Sequence, residues 1–106
     1  DVGTAATKGV IIDGQCRVVA QCSTEHGMEN PRPGWYEHDA EGVWWHDVCQ
    51  VSRELLRSSG IPAGQIAAVG TSTLGSDCLP VDEQCRPLRR AIQNQVEDAV
   101  AGPERR

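Results

Sequence analysis

The 106-residue sequence predicts an α/β fold in which a mixed sheet packs on one long helix. Three observations predict it. β-Branched runs flank the Asp13-Gly14 pair, the signal of a β-hairpin. Apolar residues between Ala40 and Ser59 recur at helical spacing. Beyond that stretch, short apolar runs return between turn residues, giving the order strand, strand, long helix, strand, hairpin.

Lys8 to Ile12 is rich in β-branched residues and predicts the first strand. Asp13-Gly14-Gln15 is its turn, and Arg17 to Cys22 is the returning strand. Glu29 to Asp39 predicts a loop, broken by Pro31, Pro33 and Gly34. Asp39 then suits an N-cap, and Glu41 complements the first helical turn. Along Ala40–Ser59, Trp44, Val48, Val51 and Leu55 share one face, which Trp45, Cys49 and Leu56 widen. Gly60 ends the helix and Pro62 bars its continuation. Ile66 to Thr71 predicts a short apolar strand. Cys78–Val81, a turn at Asp82–Cys85 and Leu88–Ile92 predict a second hairpin. No internal repeat is evident. After Ile92 the sequence turns polar and loses its period, so residues 1–92 are expected to form the domain and 93–106 a divergent or disordered tail.

Composition narrows the function. The net charge of −5 favours neither nucleic acid nor an anionic membrane, and no apolar run approaches the length of a membrane span. Cys16, Cys22, Cys49, Cys78 and Cys85 are odd in number, lack Cys-x-x-Cys, and do not fall at zinc spacing with His26, His38 and His46. The expectation is free, mostly buried thiols in a reducing cytoplasm. A metal-binding cysteine protein is the weakest alternative, which zinc analysis separates.

The chemistry concentrates in the opening Asp1-Val2-Gly3-Thr4-Ala5-Ala6-Thr7-Lys8-Gly9. A turn of this composition, running straight into a strand, suits the terminal phosphates of a nucleotide. Gly3 allows close backbone approach to an anion, and successive N–H groups in a turn make a concave anion site. Thr4 and Thr7 add hydroxyl donors, and Lys8 adds a mobile positive charge. Asp1 offers oxygen ligands to Mg²⁺. This is not a Walker loop, which needs Gly-x4-Gly-Lys-Ser/Thr before a helix. On these residues alone, an ordinary hairpin turn preceded by an Asp reads equally well.

Several segments together decide more. The opening Asp-x-Gly-Thr-x-x-Thr-Lys-Gly, Pro31 to Asp39, Trp44-Trp45, Gln65 to Gly70, and Leu79-Pro80-Val81-Asp82 through Arg86-Pro87-Leu88-Arg89 occur in one order. In that order the chain, up to about Ile92, resembles the FGGY carbohydrate kinases, the sugar and polyol kinases related to xylulose kinase and glycerol kinase. The resemblance implies the N-terminal part of a two-domain enzyme with the ribonuclease H-like, actin-like ATPase fold. Such enzymes are cytoplasmic and move the γ-phosphate of ATP to a sugar or polyol hydroxyl, with Mg²⁺, in a cleft between domains.

By resemblance, Asp1 matches the position near Mg²⁺, and Thr4, Ala5, Ala6 and Lys8 match positions lining the phosphates. The nucleotide-binding set is therefore Gly3, Thr4, Ala5, Ala6, Thr7 and Lys8. Thr73-Leu74-Gly75-Ser76 matches the stretch that touches the sugar, with Gly75 and Ser76 standing where relatives carry larger polar contacts. The family's catalytic base and adenine pocket lie beyond Arg106, so no catalytic residue is assigned here.

The departures are specific. Ala5 and Ala6 stand where hydroxyl residues are common. The aromatic residue and Asp-x-Arg pattern that usually follow Ala91-Ile92 are replaced by Gln93 to Ala99, with Glu97 or Asp98 as weak stand-ins for the acid. The chain opens on Asp1 with no Met and no apolar strand ahead of it, which suggests a partial chain whose second kinase domain is missing. An α-ammonium on Asp1 would compete with Mg²⁺. Such a piece is expected to show no turnover alone; whether it self-associates is left open. The alternative from another class is a non-catalytic remnant or interaction module with the same fold.

Other candidates have plainer readings. His38 in Glu37-His38-Asp39 reads as a junction capped by Asp39 rather than an acid or base, and His46 as a helix surface residue. Trp44 and Trp45 read as packing residues, while Trp35 or Tyr36 could reach a cleft. Arg86 to Arg90 reads as a solvated hairpin end. Ser72, Thr73, Ser76 and Asp77 could hydrogen-bond a sugar, as any polar loop could. No Ser/His/Asp or Cys/His arrangement indicates a hydrolase.

Overall fold

A computed structural model describes residues 1–93. The predicted tail, with Glu97 and Asp98, lies outside the described residues except for Gln93. β1 (Ala6–Ile12) and β2 (Val18–Glu25) form an antiparallel hairpin, longer at both ends of the turn-distal side than the sequence suggests, with Ala6 opposite Glu25. The Asp13 turn closes it. Asp13 Oδ1 accepts from the Gln15 and Arg17 amides, and Oδ2 accepts from Arg17 Nε at 2.7 Å. Cys16 sits in the left-handed region, φ 61°.

The same turn is built a second time at Asp82–Arg86. Asp82 Oδ1 accepts from the Gln84 and Arg86 amides, Oδ2 accepts from Arg86 Nε, and Cys85 takes φ 59°. The cause is local sequence: Asp-Gly-Gln-Cys-Arg and Asp-Glu-Gln-Cys-Arg place the same groups at the same spacing. Around this second turn the predicted hairpin is only partly formed. Cys78 bridges Ile92 and Val81 bridges Pro87, and the named strand shrinks to β5 (Ala91–Ile92), which pairs instead with β4.

The predicted loop at Glu29–Asp39 is instead a hairpin of β3 (Glu29–Arg32) and β4 (Trp35–His38), in a three-stranded sheet ordered β3-β4-β5. The supposed breakers build it. Pro33 and Gly34 form the connecting turn, Gly34 taking φ 79° as the third turn residue must. Pro31 is tolerated because β3 is an edge strand.

The helix begins where Asp39 predicts, with the Asp39 carboxylate accepting from the amides of Glu41 and Gly42. Its first turn is wider than an α-helix. Ala40–Trp45 is π-helical, since the Asp39 carbonyl accepts from both Val43 and Trp44, before α1 (His46–Ser59) takes over. Gly60 ends α1 at φ 70°, its N–H bonded to the Leu56 carbonyl.

Val51 and Leu55 of α1 are buried against the β1–β2 hairpin. The approach is close at Gly9, where a Cβ would lie 2.5 Å from Val51 Cγ1 and 2.8 Å from Leu55 Cδ1. Trp45 does not widen this stripe: it is 66% exposed, because the π turn shifts the residues before His46 around the axis. The opposite face of the hairpin is also apolar and uncovered, with Val10, Ile12, Val18 and Val19 exposed.

Three further expectations are corrected. Ile66–Thr71 is not a strand. A short 3-10 turn (Ala63–Gln65) precedes it, and among the described residues the sheet-like tie nearby is a parallel bridge from Val2 to Thr73. An unbroken apolar run becomes a strand when neighbours cover both its faces, and here Val69 is 83% exposed. The thiols are free, but not mostly buried: Cys16, Cys78 and Cys85 are exposed, and Cys22 and Cys49 are half-buried. Cys16 and Cys85 are carried outward by their turns. The basic stretch is ion-paired rather than merely solvated, with Arg86 on Asp82, Arg89 on Glu37, and Arg90 on Glu29 and Asp39.

Candidate functional site

The opening residues fold into a tight hairpin of their own. Val2 bridges Thr7, the amide of Gly3 donates to the Ala6 carbonyl at 2.9 Å, and the Lys8 amide donates to the Asp1 carbonyl at 2.8 Å. The α-ammonium of Asp1 donates to the Lys8 carbonyl, also at 2.8 Å. Thr4 and Ala5 form the tip. Their amide groups donate to no acceptor among the described residues, whereas the Ala5 carbonyl is taken by the His26 amide. The tip thus has carbonyls turned inward and unpaired N–H groups, the polarity an anion requires.

The sequence-predicted residues divide by the direction they face. Lys8 is exposed and, with Ala5, Ala6, Ser23, Glu25, His26 and Gly27, lines an open groove of about 680 Å³ beside the tip. Asp1 is exposed at the start of the turn. Thr7 points the other way: it is buried, and its hydroxyl donates to Asp47 Oδ2 at 3.3 Å. Gly75 and Ser76 are exposed in the loop after Thr73, whose bridge to Val2 brings that loop beside the opening hairpin. Ser76 takes φ 61°.

Beneath the tip lies a polar layer that sequence reasoning missed. The His26 ring, 6% exposed, sits between two oxygens: Nδ1 is 2.7 Å from Asp47 Oδ2, and Nε2 is 2.9 Å from the Gly3 carbonyl. Asp47 is itself buried at the start of α1 and also receives His46 Nδ1 at 3.3 Å. His38 in β4 meets the His26 ring edge-on, centroids 5.0 Å apart, and stacks edge-on against Trp44. The Gln93 side-chain amide hydrogen-bonds to His38 Nδ1. Burial, then the neighbouring His26, holds His38 below the ordinary histidine range, although the backbone of Gly27 and Thr4 and the charge of Asp77 pull the other way. His38 is therefore more than a strand-to-helix junction, while Asp39 does cap the helix as predicted. The only available sequence signal for this layer was the isolation of His26 beside a glycine, which marks no spacing motif.

Among the described residues, no group of three or more His, Cys, Asp or Glu side chains is placed to hold a metal ion. Asp1 still fits Mg²⁺ as a single ligand. That ion usually keeps several waters and takes one or two carboxylates plus phosphate oxygens, and Asp1 stands exposed at the mouth of the turn. No helix among the described residues is long and apolar enough to cross a membrane.

Comparison with known proteins assigns the family. A sequence model for the FGGY family of carbohydrate kinases, N-terminal domain, matches residues 1–101. Glycerol kinase from Nostoc sp. (strain PCC 7120) is 37% identical over 93 residues, covering 87% of this chain and 18% of the relative. Glycerol kinase from Bordetella pertussis is also 37% identical over the same span. Among solved structures, a xyloylose kinase from Brucella ovis superposes with a TM-score of 0.80 at 25% identity, over 86% of this chain and 19% of that one. A ligand-bound xylulose kinase from Lactobacillus acidophilus superposes with a TM-score of 0.75 at 26% identity, over 86% and 18%. The chain thus spans under a fifth of the length of the proteins it matches.

Proposed function

Because the chain belongs to the FGGY family of carbohydrate kinases, through its N-terminal domain, we propose that its amino-terminal turn cradles the phosphates of ATP during phosphoryl transfer to a sugar or polyol hydroxyl. The observation that carries this reading is the pair of unpaired amides at Thr4 and Ala5, flanked by exposed Lys8. Phosphoryl transfer asks the protein mainly for positioning and charge neutralisation. The tip amides and Lys8 hold the transferring phosphate. Backbone donors do this work without the hydroxyls that Ala5 and Ala6 lack. Thr7 acts from below, anchoring the strand to α1 through Asp47. Asp1 would hold Mg²⁺, which when bound neutralises phosphate charge. The loop carrying Gly75 and Ser76 faces the substrate, its small side chains leaving space for a polyol.

On this reading the fold is the ribonuclease H-like, actin-like half-site of a two-domain enzyme. The superposition on xylulose kinases supports it. So does the uncovered apolar face of Val10, Ile12, Val18 and Val19, a surface that further chain would bury. The base that accepts the hydroxyl proton and the adenine pocket are assigned to no residue of this chain. The 106-residue chain is accordingly expected to bind phosphate without turnover.

The test is a titration of the chain with Mg-ADP and Mg-ATP, following the amide signals of Gly3, Thr4, Ala5 and Lys8. Saturable shifts confined to these residues are expected, together with no ATP-dependent phosphorylation of glycerol or a pentulose. Silent tip amides at millimolar nucleotide would refute the cradle, and measurable turnover would refute the division of labour.

A further inference from the structure

We propose that His26 is a positioning residue, a strut that donates Nε2–H to the Gly3 carbonyl and, braced by Asp47, fixes the tip of the amino-terminal turn. The inference deepens the phosphate reading and rests on it for its functional consequence, but not for its structural content.

The geometry is specific. The Gly3 carbonyl only accepts, so the bond at 2.9 Å requires a proton on Nε2. The Asp47 carboxylate also accepts, at 2.7 Å from Nδ1. A ring between these two acceptors presents Nε2–H to the carbonyl and turns Nδ1 to the carboxylate. The surrounding groups fit it. From β1, the Thr7 hydroxyl donates to Asp47; from α1, His46 Nδ1 lies against the other Asp47 oxygen; from β4, His38 presents its ring edge at 5.0 Å and is itself held below the ordinary histidine range by burial first and by His26 second. Lys8 and Glu25 stand at the groove rim. His26, Asp47 and Thr7 therefore tie three elements to one backbone oxygen.

The consequence lies in the peptide orientation. In a two-residue tip, the Gly3–Thr4 peptide can flip cheaply, because glycine tolerates either orientation. Fixing its carbonyl toward His26 fixes the Thr4 amide toward the opposite side, where an anion would sit. The Ala5 carbonyl is fixed by the same residue, through the His26 backbone amide at 2.9 Å. One residue thus orients the peptide that carries the Thr4 N–H and pins the Ala5–Ala6 peptide that closes the tip, and it does so before any ligand arrives. Preorganised donors gain affinity because their ordering cost is already met.

Three measurements on the full 106-residue chain test this. Imidazole ¹⁵N signals report the His26 protons directly, and a protonated Nε2 is expected; a bare Nε2 facing Gly3 overturns the proposal. In His26→Phe, loss of one buried hydrogen bond is expected to raise hydrogen exchange at the Gly3 and Lys8 amides about tenfold and to weaken binding of Mg-tripolyphosphate about tenfold. Arg57→Ala, near the far end of α1, leaves both unchanged. Wild-type exchange and affinity in His26→Phe overturn the strut. If that variant fails to fold, His26→Gln, which keeps one donor, is read in the same two ways alongside the wild-type imidazole spectrum. Should wild type bind no tripolyphosphate while exchange at Gly3 still depends on His26, the strut stands and the phosphate reading falls.

Discussion

Gly9 sets the distance between α1 and the first hairpin, and replacing it with alanine measures how tightly that contact is specified. The added Cβ would fall 2.5 Å from Val51 Cγ1 and 2.8 Å from Leu55 Cδ1. Carbon atoms pack at roughly 3.5–4.0 Å, so the helix must retreat by about 1 Å or both side chains must leave their rotamers. Neither has room to turn freely, since Val51 and Leu55 are buried. Overpacking of this kind costs about 1–3 kcal/mol. Alanine returns about 0.4–1 kcal/mol by restricting the unfolded chain, because Gly9 does not adopt a positive φ. The net expectation is a loss of about 1–2 kcal/mol, or a fall in Tm of about 4–16 °C for a domain this size. Thermal and urea unfolding followed by circular dichroism read it. Val51→Ala in the same chain supplies the internal control. The methyls it removes are those that clash, so the double variant is expected to be more stable than the two separate losses sum to. A Gly9→Ala chain as stable as wild type, or strictly additive behaviour with Val51→Ala, would show that the helix does not sit where this packing argument requires.

The other predictions draw on the turns and the buried ring. Cys16 and Cys85 adopt φ 61° and 59°, a region costing non-glycine residues about 1–2 kcal/mol. Cys16→Gly and Cys85→Gly, after the entropy glycine adds to the unfolded state, should therefore each stabilise the chain by about 0.5–1 kcal/mol in urea unfolding. His38 is held below the ordinary histidine range by burial first and by His26 second. The unfolded chain then binds the extra proton, so stability is full above about pH 6.5 and drains as the pH falls below it. His38→Gln should flatten that part of the pH–stability curve. Asp13 and Asp82 are held below the usual carboxylate range chiefly by the backbone amides of Arg17 and Arg86. Their contribution persists above the ordinary carboxylate range and is lost as the pH falls through their lowered values, so Asp82→Asn should shift the acid transition in unfolding monitored by tryptophan fluorescence.

Much of the architecture was legible because its signals are local. Asp39 caps, Gly60 terminates, and Asp13 closes a hairpin through groups within five residues of each other. The order of segments also sufficed to place the chain in its family. The misreadings share a physical cause. Pro31, Pro33 and Gly34 are breakers in the middle of an element but builders at a hairpin tip, and only pairing with β5 reveals which applies at Glu29–His38. The π-helical start depends on one carbonyl accepting twice, a choice that apolar periodicity does not register, and it is what turns Trp45 outward. The cysteines were placed inside by their residue type, yet Cys16 and Cys85 are held at the surface by the aspartate three residues away that shapes each turn.

The candidate site was legible only on one side. Its outer surface, Asp1, Gly3, Thr4 and Lys8, is contiguous in sequence and composes a recognisable turn. Its inner support is assembled from Thr7, His26, His38 and Asp47, which sit on four different segments; hydrogen bonds spanning 21 and 40 positions join His26 and Thr7 to Asp47, and a ring contact adds His38. No spacing rule links such residues, because a buried acceptor needs only a donor of suitable reach and leaves its sequence separation free. The opening turn is short, and its rigidity is borrowed from these distant residues. On the proposed reading, Ala5 and Ala6 are then no deficit: with the Gly3 carbonyl held from beneath, the tip amides serve as the donors that hydroxyl side chains would otherwise supply.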